Sequence, residues 1–131
     1  MNNKSILITG ATGTFGTNCL KRIIKNVKPK RLVIFSRDEQ KQFQMSKIFS
    51  TEKYPFLRYM LGDIRDKNRL KKAFSEIDLV IHAAAMKHVP AAEYNPTECI
   101  ATNIVGAQNI IDIAIENEVK NVLALSTDKA A

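Results

Sequence analysis

The fold is decided near the amino terminus by the stretch Ser5-Ile6-Leu7-Ile8-Thr9-Gly10-Ala11-Thr12-Gly13-Thr14-Phe15-Gly16. Its apolar first half predicts a buried strand, its evenly spaced glycines predict a tight turn, and apolar residues from Phe15 onward repeat at helical spacing. In such a unit Gly10 takes backbone angles that other residues avoid, Gly13 lets the main chain approach a pyrophosphate, and Gly16 brings the helix close to the sheet. The helix then points unpaired N–H groups at the phosphates. The stretch therefore predicts the entry unit of a dinucleotide-binding fold, with an ordinary glycine-rich turn as the alternative.

The composition predicts a single globular unit. With 131 residues, 45% of them hydrophobic, the chain can build one core but is too short for two domains. The longest apolar run, from Leu79 to Met86, is interrupted by His82 and is much shorter than a bilayer span, and no signal-peptide pattern precedes the first strand. We therefore expect a cytoplasmic protein without a membrane segment. Cys19 and Cys99 fit reduced thiols in a core better than a disulfide or a metal pair, and no metal site is expected.

The net charge of +7 is concentrated in the first part of the chain. Residues 1–72 contain 17 Lys/Arg and 5 Asp/Glu, a balance of +12, whereas residues 73–131 contain 3 and 8, a balance of −5. A basic half is one feature of nucleic-acid binding. Here the basic residues fall on the outer sides of predicted helices, without an aromatic series for base stacking. We interpret them as solvated helix surface that also attracts an anionic ligand, and we expect no nucleic-acid partner.

The rest of the chain alternates predicted strands with predicted helices. The further strands are expected over residues 31–36, 56–61, 79–82 and 121–126. Asp38 and Asp66 are expected to cap two of the helices, and a long helix is expected to begin at Pro96. The buried stripes are predicted as Phe15, Cys19, Ile23 and Val27 on the first helix, Met45, Ile48 and Phe49 on the second, Leu70, Ala73, Phe74 and Ile77 on the third, and Ile100, Ile104, Ala107, Ile111 and Ile115 on the long helix. Without a hairpin signal, this alternation predicts an α/β fold with a Rossmann-type doubly wound parallel sheet in the order 3-2-1-4-5.

This strand order predicts where a ligand binds. The topological switch lies between strands one and four, and ligands bind beside it at the carboxyl ends of the strands. The turns after the five strands are therefore the candidate site segments: Gly10 to Gly16, Ser36-Arg37, Asp63-Ile64, Ala83 to Lys87, and Ser126 to Lys129.

The end of strand two distinguishes between the two nicotinamide dinucleotides. NAD-binding proteins usually have an acid there for the ribose 2′-hydroxyl, whereas this chain has Ser36 and Arg37. A guanidinium can grip a 2′-phosphate with two hydrogen bonds and a hydroxyl can add a third, so NADP is favoured. Asp38 keeps NAD open unless its capping role occupies it. Asp63 lies where the adenine ring would rest and could accept from its exocyclic amine, while holding a turn with Gly62 is the alternative.

The motifs of the chain are similar to those of a known enzyme superfamily. Residues 9–16 and Asp63-Ile64-Arg65 resemble the extended short-chain dehydrogenase/reductases. Four further segments, at residues 36–39, 82–90, 93–96 and 126–131, look like the inverting UDP-N-acetylglucosamine 4,6-dehydratases of pseudaminic acid and capsule polysaccharide synthesis. Among them, Lys-His-Val-Pro and Thr-Asp-Lys-Ala are much more specific than the glycine motif. The resemblance extends over essentially all 131 residues.

The resemblance implies a redox-neutral lyase that uses NADP and UDP-N-acetylglucosamine. In that family, NADP+ takes a hydride from C4 of the sugar, the ketone acidifies H5, water leaves across C5 and C6, and the hydride returns at C6. Lys129 would then be the base at C5, Asp128 would protonate the departing 6-hydroxyl, and Thr127 would hydrogen-bond the sugar. A lysine near a cationic nicotinamide favours its neutral form, and a carboxyl facing an anionic ligand favours its acid form. Without the resemblance, Asp128 and Lys129 would be an ordinary charged turn.

Further contacts are expected after strand four and in the long helix. Ala83 to Ala85 would let the main chain pass close to the nicotinamide ribose, with small-residue packing as the alternative. Lys87 is expected at the ligand phosphates or the substrate, with a solvated lysine as the alternative. Asn103 is expected to support the active site, and Gly106 to bring the helix close to the sheet. The expected cofactor-binding residues are Gly10, Thr12, Gly13, Thr14, Phe15, Gly16, Ser36, Arg37, Asp63, Ile64, Ala83, Ala84, Ala85 and Lys87.

One part of the family pattern has no counterpart in this sequence. The family uses a Tyr-x-x-x-Lys pair, and none of Tyr54, Tyr59 and Tyr94 is followed by a lysine at that spacing. We therefore interpret residues 1–131 as the amino-terminal part of an NAD(P)-binding Rossmann domain, incomplete at the carboxyl end and without its substrate domain. Strand five would then be an exposed apolar edge, which predicts a homo-oligomer. The alternatives are a UDP-sugar epimerase of the same superfamily and an NADP-binding chain without turnover.

Overall fold

The computed structural model describes residues 2–83 and 96–124, and for residues 96–105 only the backbone. Strands and helices alternate along the chain as the sequence predicts. In chain order they are β1 (Ser5–Thr9), α1 (Thr14–Asn26), β2 (Arg31–Ser36), α2 (Glu39–Ile48), β3 (Leu57–Leu61), α3 (Lys67–Ala73), β4 (Leu79–His82), α4 (Pro96–Glu116) and β5 (Asn121–Ala124). The predicted starts of β2, β4, β5 and α4 are confirmed, while β3 begins one residue later than predicted.

The strands form one parallel sheet in the order β3-β2-β1-β4-β5, which confirms the predicted topology. In the centre of the sheet, Thr9 pairs with Phe35 of β2 on one side and with His82 of β4 on the other. The segments that follow β1, β2 and β4 therefore leave the sheet at the same edge. The order of the strands reverses between β1 and β4, so this edge contains the topological switch.

Apolar residues cover both faces of the sheet, and β1 is therefore buried along its whole length. Successive side chains of a strand point to opposite faces. Ile6 and Ile8 accordingly belong to one apolar cluster, with Leu20 and Ile23 of α1, whereas Leu7 belongs to a second cluster that α3 and α4 complete. The predicted burial of Leu70, Ala73, Phe74 and Ile77 is confirmed, although α3 ends at Ala73 and the last two lie in the segment after it.

The predicted buried faces of α1 and α2 are partly wrong. Phe15 is 44% exposed, and the buried residues of α1 are Gly16, Leu20 and Ile23. Gly16 packs directly against the backbone of Gly10 and Ala11, where a side chain would not fit. This close contact determines which face of α1 points towards the core. On α2, Met45 is buried as predicted, but Ile48 is exposed and the polar Gln42 is buried instead.

The predicted stripe of α4 is also wrong within the part whose side chains are described. Ile111 and Ile115 are exposed, whereas Ile110, Ile113 and Ala114 are buried, so the helix is rotated from the expected orientation. Apolar residues occur on more than one side of α4, and therefore periodicity alone does not select a face. A different contact selects it: the backbone at Gly106 lies against the side chain of Ile64.

The basic and the acidic parts of the chain meet on the surface between α3 and α4. Lys67 and Lys71 of α3 form ion pairs of 3.4 Å with Asp112 and Glu116 of α4, respectively. The basic side chains of α1 are exposed, as expected for a solvated helix face. Much of the charge asymmetry along the sequence is thus surface charge that is partly neutralised in the fold.

The edge strand β5 exposes apolar side chains. It pairs with β4, and within the described residues it has no other neighbour. Val122 is 41% exposed and Leu123 is 51% exposed, in agreement with the predicted apolar edge. No helix in the described ranges is long and apolar enough to cross a bilayer.

Candidate functional site

The turn after β1 has the geometry that its glycines predict. Gly10 has a φ of 64°, a left-handed conformation that favours glycine, and the amide of Gly13 donates to the Gly10 carbonyl at 3.1 Å. A Cβ on Gly16 would overlap the Gly10 carbonyl oxygen and lie 2.5 Å from Ala11 Cα. Both neighbours are backbone atoms, so only glycine allows α1 to start this close to the end of β1.

The start of α1 is open, unlike the starts of α2 and α3. Gly13 is the N-cap residue, no side chain caps the helix, and its first turn contains no acid. Gly13, Thr14 and Phe15 are exposed and Thr12 is half-buried. Unpaired N–H groups at a helix start, together with the helix dipole, attract an anion. This arrangement can hold a phosphate group at the switch point of the sheet.

The carboxyl ends of β2 and β3 bring Arg37 and Asp63 together. Arg37 Nη1 lies 3.7 Å from Asp63 Oδ2, and the Arg37 side chain is 59% exposed. Ser36, just before Arg37, is buried, and its partner in β3 is Leu61. These segments leave the sheet beside the glycine turn, because β2 lies between β1 and β3.

The Asp63 carboxylate accepts hydrogen bonds from Arg65, whose role was not predicted from the sequence. The backbone N–H of Arg65 donates to Asp63 Oδ1 at 2.9 Å, and its guanidinium donates to the carboxylate with contacts of 2.7 to 3.2 Å. The hydrogen bond from Arg65 lowers the pKa of Asp63 to about 2. Asp63 therefore stays ionised, but an adenine amine would share its carboxylate with Arg65. The contact runs from residue i to residue i+2 in a loop, and no periodic pattern signals it.

The loop after β3 is held by α4 through contacts that the sequence did not reveal. Asn109 is buried, and its side-chain amide donates to the carbonyls of Ile64 and Arg65 at 3.1 Å each. A Cβ on Gly106 would collide with the Ile64 side chain. Gly106 thus makes room for Ile64 rather than for the sheet, which corrects its expected role.

The end of β4 forms a buried polar contact with β1. The Thr9 hydroxyl and His82 Nδ1 are 2.7 Å apart, and burial lowers the pKa of His82. Ala83 follows and is buried in the apolar cluster of β1 and α1, where its small side chain packs. The described residues contain no cluster of potential metal ligands. Other expected site residues lie outside the described part of the chain: Ala84, Ala85, Lys87, Thr127, Asp128 and Lys129, together with the side chain of Asn103.

A doubly wound parallel sheet with an open, glycine-lined helix start at its switch point defines an α/β domain of the Rossmann type. Comparison with known proteins narrows this class. The model of the polysaccharide biosynthesis protein family matches residues 6–131, and the chain belongs to this family.

Two curated relatives show what the chain is similar to. A UDP-N-acetylglucosamine 4,6-dehydratase (inverting) of Campylobacter jejuni is 59% identical over 129 residues, which are 98% of this chain and 38% of the relative. A UDP-glucose 4-epimerase of Rickettsia bellii is 45% identical over 131 residues, again 98% of this chain and 38% of the relative. The resemblance to the inverting dehydratases is confirmed, and the chain spans less than two fifths of the length of either relative.

A solved structure shares the fold closely. The X-ray structure of Pen from Bacillus thuringiensis is 45% identical in sequence and superimposes with a TM-score of 0.86. The match covers 94% of this chain and 37% of that one. The arrangement of β1 to β5 is therefore found again within a longer experimentally determined chain.

Proposed function

We propose that this chain forms the amino-terminal, NADP-binding part of an inverting UDP-N-acetylglucosamine 4,6-dehydratase. The observation that carries the cofactor site is the open start of α1 above the glycine turn, where N–H groups have no side-chain cap. The high identity with the Campylobacter dehydratase supports the reaction. We place such an enzyme in the cytoplasm, in nucleotide-sugar synthesis for surface polysaccharide or flagellin glycosylation. We expect the enzyme to be a homo-oligomer.

The end of β2 supports NADP rather than NAD. Asp38, the acid that could bind a ribose hydroxyl, instead accepts a hydrogen bond from the backbone N–H of Lys41 at 2.9 Å and caps α2. Arg37 remains exposed, with its guanidinium near Asp63. A guanidinium matches a phosphate with paired, charge-assisted hydrogen bonds. In the proposed site, Arg37 and Ser36 therefore bind the 2′-phosphate, and the start of α1 binds the pyrophosphate.

The nicotinamide, when bound, would supply hydride acceptance and return, so that the proposed enzyme would be a lyase without net oxidation. Lys129 removes the proton at C5, Asp128 protonates the departing 6-hydroxyl, and Thr127 orients the sugar by a hydrogen bond. All three residues follow β5 in the sequence. Removal of a C5 proton and departure of the hydroxyl need a base and an acid, and the adjacent Lys129 and Asp128 can supply them.

The similarity to the Rickettsia epimerase favours a second candidate, a UDP-sugar 4-epimerase. An epimerase returns a sugar of unchanged composition, whereas a dehydratase releases water. Both candidates would use a nicotinamide dinucleotide at the glycine turn, and they differ in the need for the acid and base after β5.

The test is to express the complete reading frame that contains these residues and to supply UDP-N-acetylglucosamine. The proposal predicts a keto-sugar product lighter by one water molecule, and Lys129→Met or Asp128→Asn should abolish it. Lys120→Met, at an exposed lysine, is the matched control and should leave turnover unchanged. A product of unchanged mass but altered C4 configuration would establish the epimerase, and an unchanged substrate would refute both candidates.

A further inference from the structure

A buried glutamine joins the ends of β2 and β3 beneath the proposed 2′-phosphate site. Gln42, in the first half of α2, is 6% exposed. Its Nε2 lies 2.9 Å from Ser36 Oγ, 3.3 Å from the Ser36 carbonyl and 3.0 Å from the Met60 carbonyl. Carbonyl oxygens only accept, so the amide nitrogen must face this group and the orientation of the side chain is fixed.

These contacts determine how Ser36 can bond to a ligand. A hydroxyl has one hydrogen to donate, and here its oxygen accepts from Gln42. In the part of the chain that the structure describes, no acceptor is recorded for the hydroxyl hydrogen of Ser36. Because its oxygen accepts from Gln42, the Ser36 hydroxyl has its hydrogen left to donate to a ligand.

The same glutamine fixes the spacing of the two loops that carry charge. Its bond to Met60 ties α2 to β3, and its bonds to Ser36 tie α2 to β2. The backbone N–H of Gly62 donates to the Ser36 carbonyl at 2.9 Å, which continues the pairing to the loop of Asp63. Arg37 and Asp63 face each other directly beyond these bonds.

We propose that Gln42 is a positioning residue for cofactor specificity: it holds Ser36 as a hydrogen-bond donor and so favours a 2′-phosphate over a 2′-hydroxyl. A phosphate oxygen accepts only, and a hydrogen bond to a charged acceptor is stronger than one to a neutral hydroxyl. This inference rests on the proposed function, because it requires the site to bind NADP. Gln42 acts through Ser36 and does not itself contact the cofactor.

The experiment measures the affinities of NADP+ and NAD+ for the chain and for Gln42→Met, a change that preserves size and removes the donor. We expect the variant to bind NADP+ about tenfold more weakly, since a charge-assisted hydrogen bond is lost, and NAD+ with less than about a twofold change. Gln44→Met, an exposed position on the same helix, is the control and should match the parent for both ligands.

A double-mutant cycle separates positioning from general damage. Ser36→Ala alone should reduce the preference for NADP+ about tenfold, and adding Gln42→Met should reduce it no further, because both changes remove the same bond. Equal weakening of both cofactors by Gln42→Met, or additive effects in the cycle, would overturn the inference. If Gln42→Met does not fold, Ser36→Ala decides alone, and an unchanged preference overturns the proposal.

Failure of the inference can be distinguished from failure of the proposed function. A parent chain that prefers NADP+ while Gln42→Met keeps the same preference refutes only the role of Gln42. A parent chain without a preference for NADP+ refutes the proposed cofactor, and the role of Gln42 with it.

Discussion

Helices α1, α2 and α3 begin in two different ways. In α2 and α3, Asp38 and Asp66 accept hydrogen bonds from the backbone N–H groups of Lys41 and Arg69. In α1, Gly13 stands at the same position and provides no side-chain cap. An aspartate or serine cap stabilises a helix by about 1 kcal/mol relative to alanine. A capping side chain is thus present at the starts of α2 and α3 and absent at the start of α1, where the proposed site needs free N–H groups.

The largest effect should come from filling the contact beneath the open helix start. Gly16→Ala places a Cβ against the backbone of Gly10 and Ala11, which cannot move aside as a side chain could. We expect the free energy of unfolding to fall by about 3 kcal/mol, measured by urea denaturation. Gly13→Ala is the control, because its Cβ would meet only the Gly10 carbonyl at 3.4 Å, an ordinary contact. A Gly16→Ala variant as stable as the parent would show that α1 does not depend on this close approach.

Giving α1 the cap that α2 and α3 have should remove binding without harming the fold. The backbone at Gly13 is extended, with a φ of −77°, so Gly13→Asp introduces no backbone strain. We expect stability to rise by a few tenths of a kcal/mol, because an acid at this position caps the helix and favours its dipole. NADP+ affinity should fall by at least about thirtyfold, since the carboxylate occupies and repels the phosphate position. Calorimetric titration and thermal melting of the same sample measure both quantities, and retained NADP+ binding would contradict the role of the open start.

Removing an existing cap should have the opposite pattern. Asp66→Ala should lower the free energy of unfolding by about 1 kcal/mol, because the N–H of Arg69 loses its acceptor. NADP+ affinity should stay within about twofold, since α3 lies outside the proposed phosphate site. Urea denaturation and titration check the two values, and a large loss of affinity would mean that the cap serves the site as well as the helix.

The smallest effect concerns Asp63, whose pKa Arg65 lowers from 3.8 to about 2. A lowered pKa in the folded state means that the stabilisation is present above pH 3.8 and is lost as the pH falls through about 2. The pair is partly exposed, so solvent screening limits its contribution to below about 1 kcal/mol. Asp63→Asn should flatten the pH dependence of the urea midpoint across this window, and Arg65→Gln should flatten it similarly. An unchanged profile in both variants would show that the pair does not stabilise the folded chain.

The elements that sequence alone could predict are those whose signals are local. Apolar runs predicted β1, β2 and β4, and an aspartate before α2 and another before α3 predicted the caps at Asp38 and Asp66. The strand order followed from the absence of hairpin turns and the handedness of parallel connections. The faces of α1 and α4 could not be predicted, because close contacts of Gly16 and Gly106 with distant segments, rather than periodicity, determine them.

The candidate site shows the same division. Gly10, Arg37 and Asp63 could be predicted because they follow strand ends, where the fold class places ligands. Gln42, Arg65 and Asn109 could not, since each acquires its role only when carbonyl or carboxylate oxygens from other segments surround it. A polar residue in the buried face of an amphipathic helix looks like a break in the pattern, as Gln42 does in α2.

In the proposed site, the open start of α1 and the exposed Arg37 together bind NADP. Isothermal titration calorimetry of the chain with NADP+ and with NAD+ tests this pairing, with Arg37→Ala as the variant. We predict tighter binding of NADP+ than of NAD+, and a preference that Arg37→Ala removes while NAD+ binding is kept. Tighter binding of NAD+, binding of neither nucleotide, or a preference unaffected by Arg37→Ala would contradict the account.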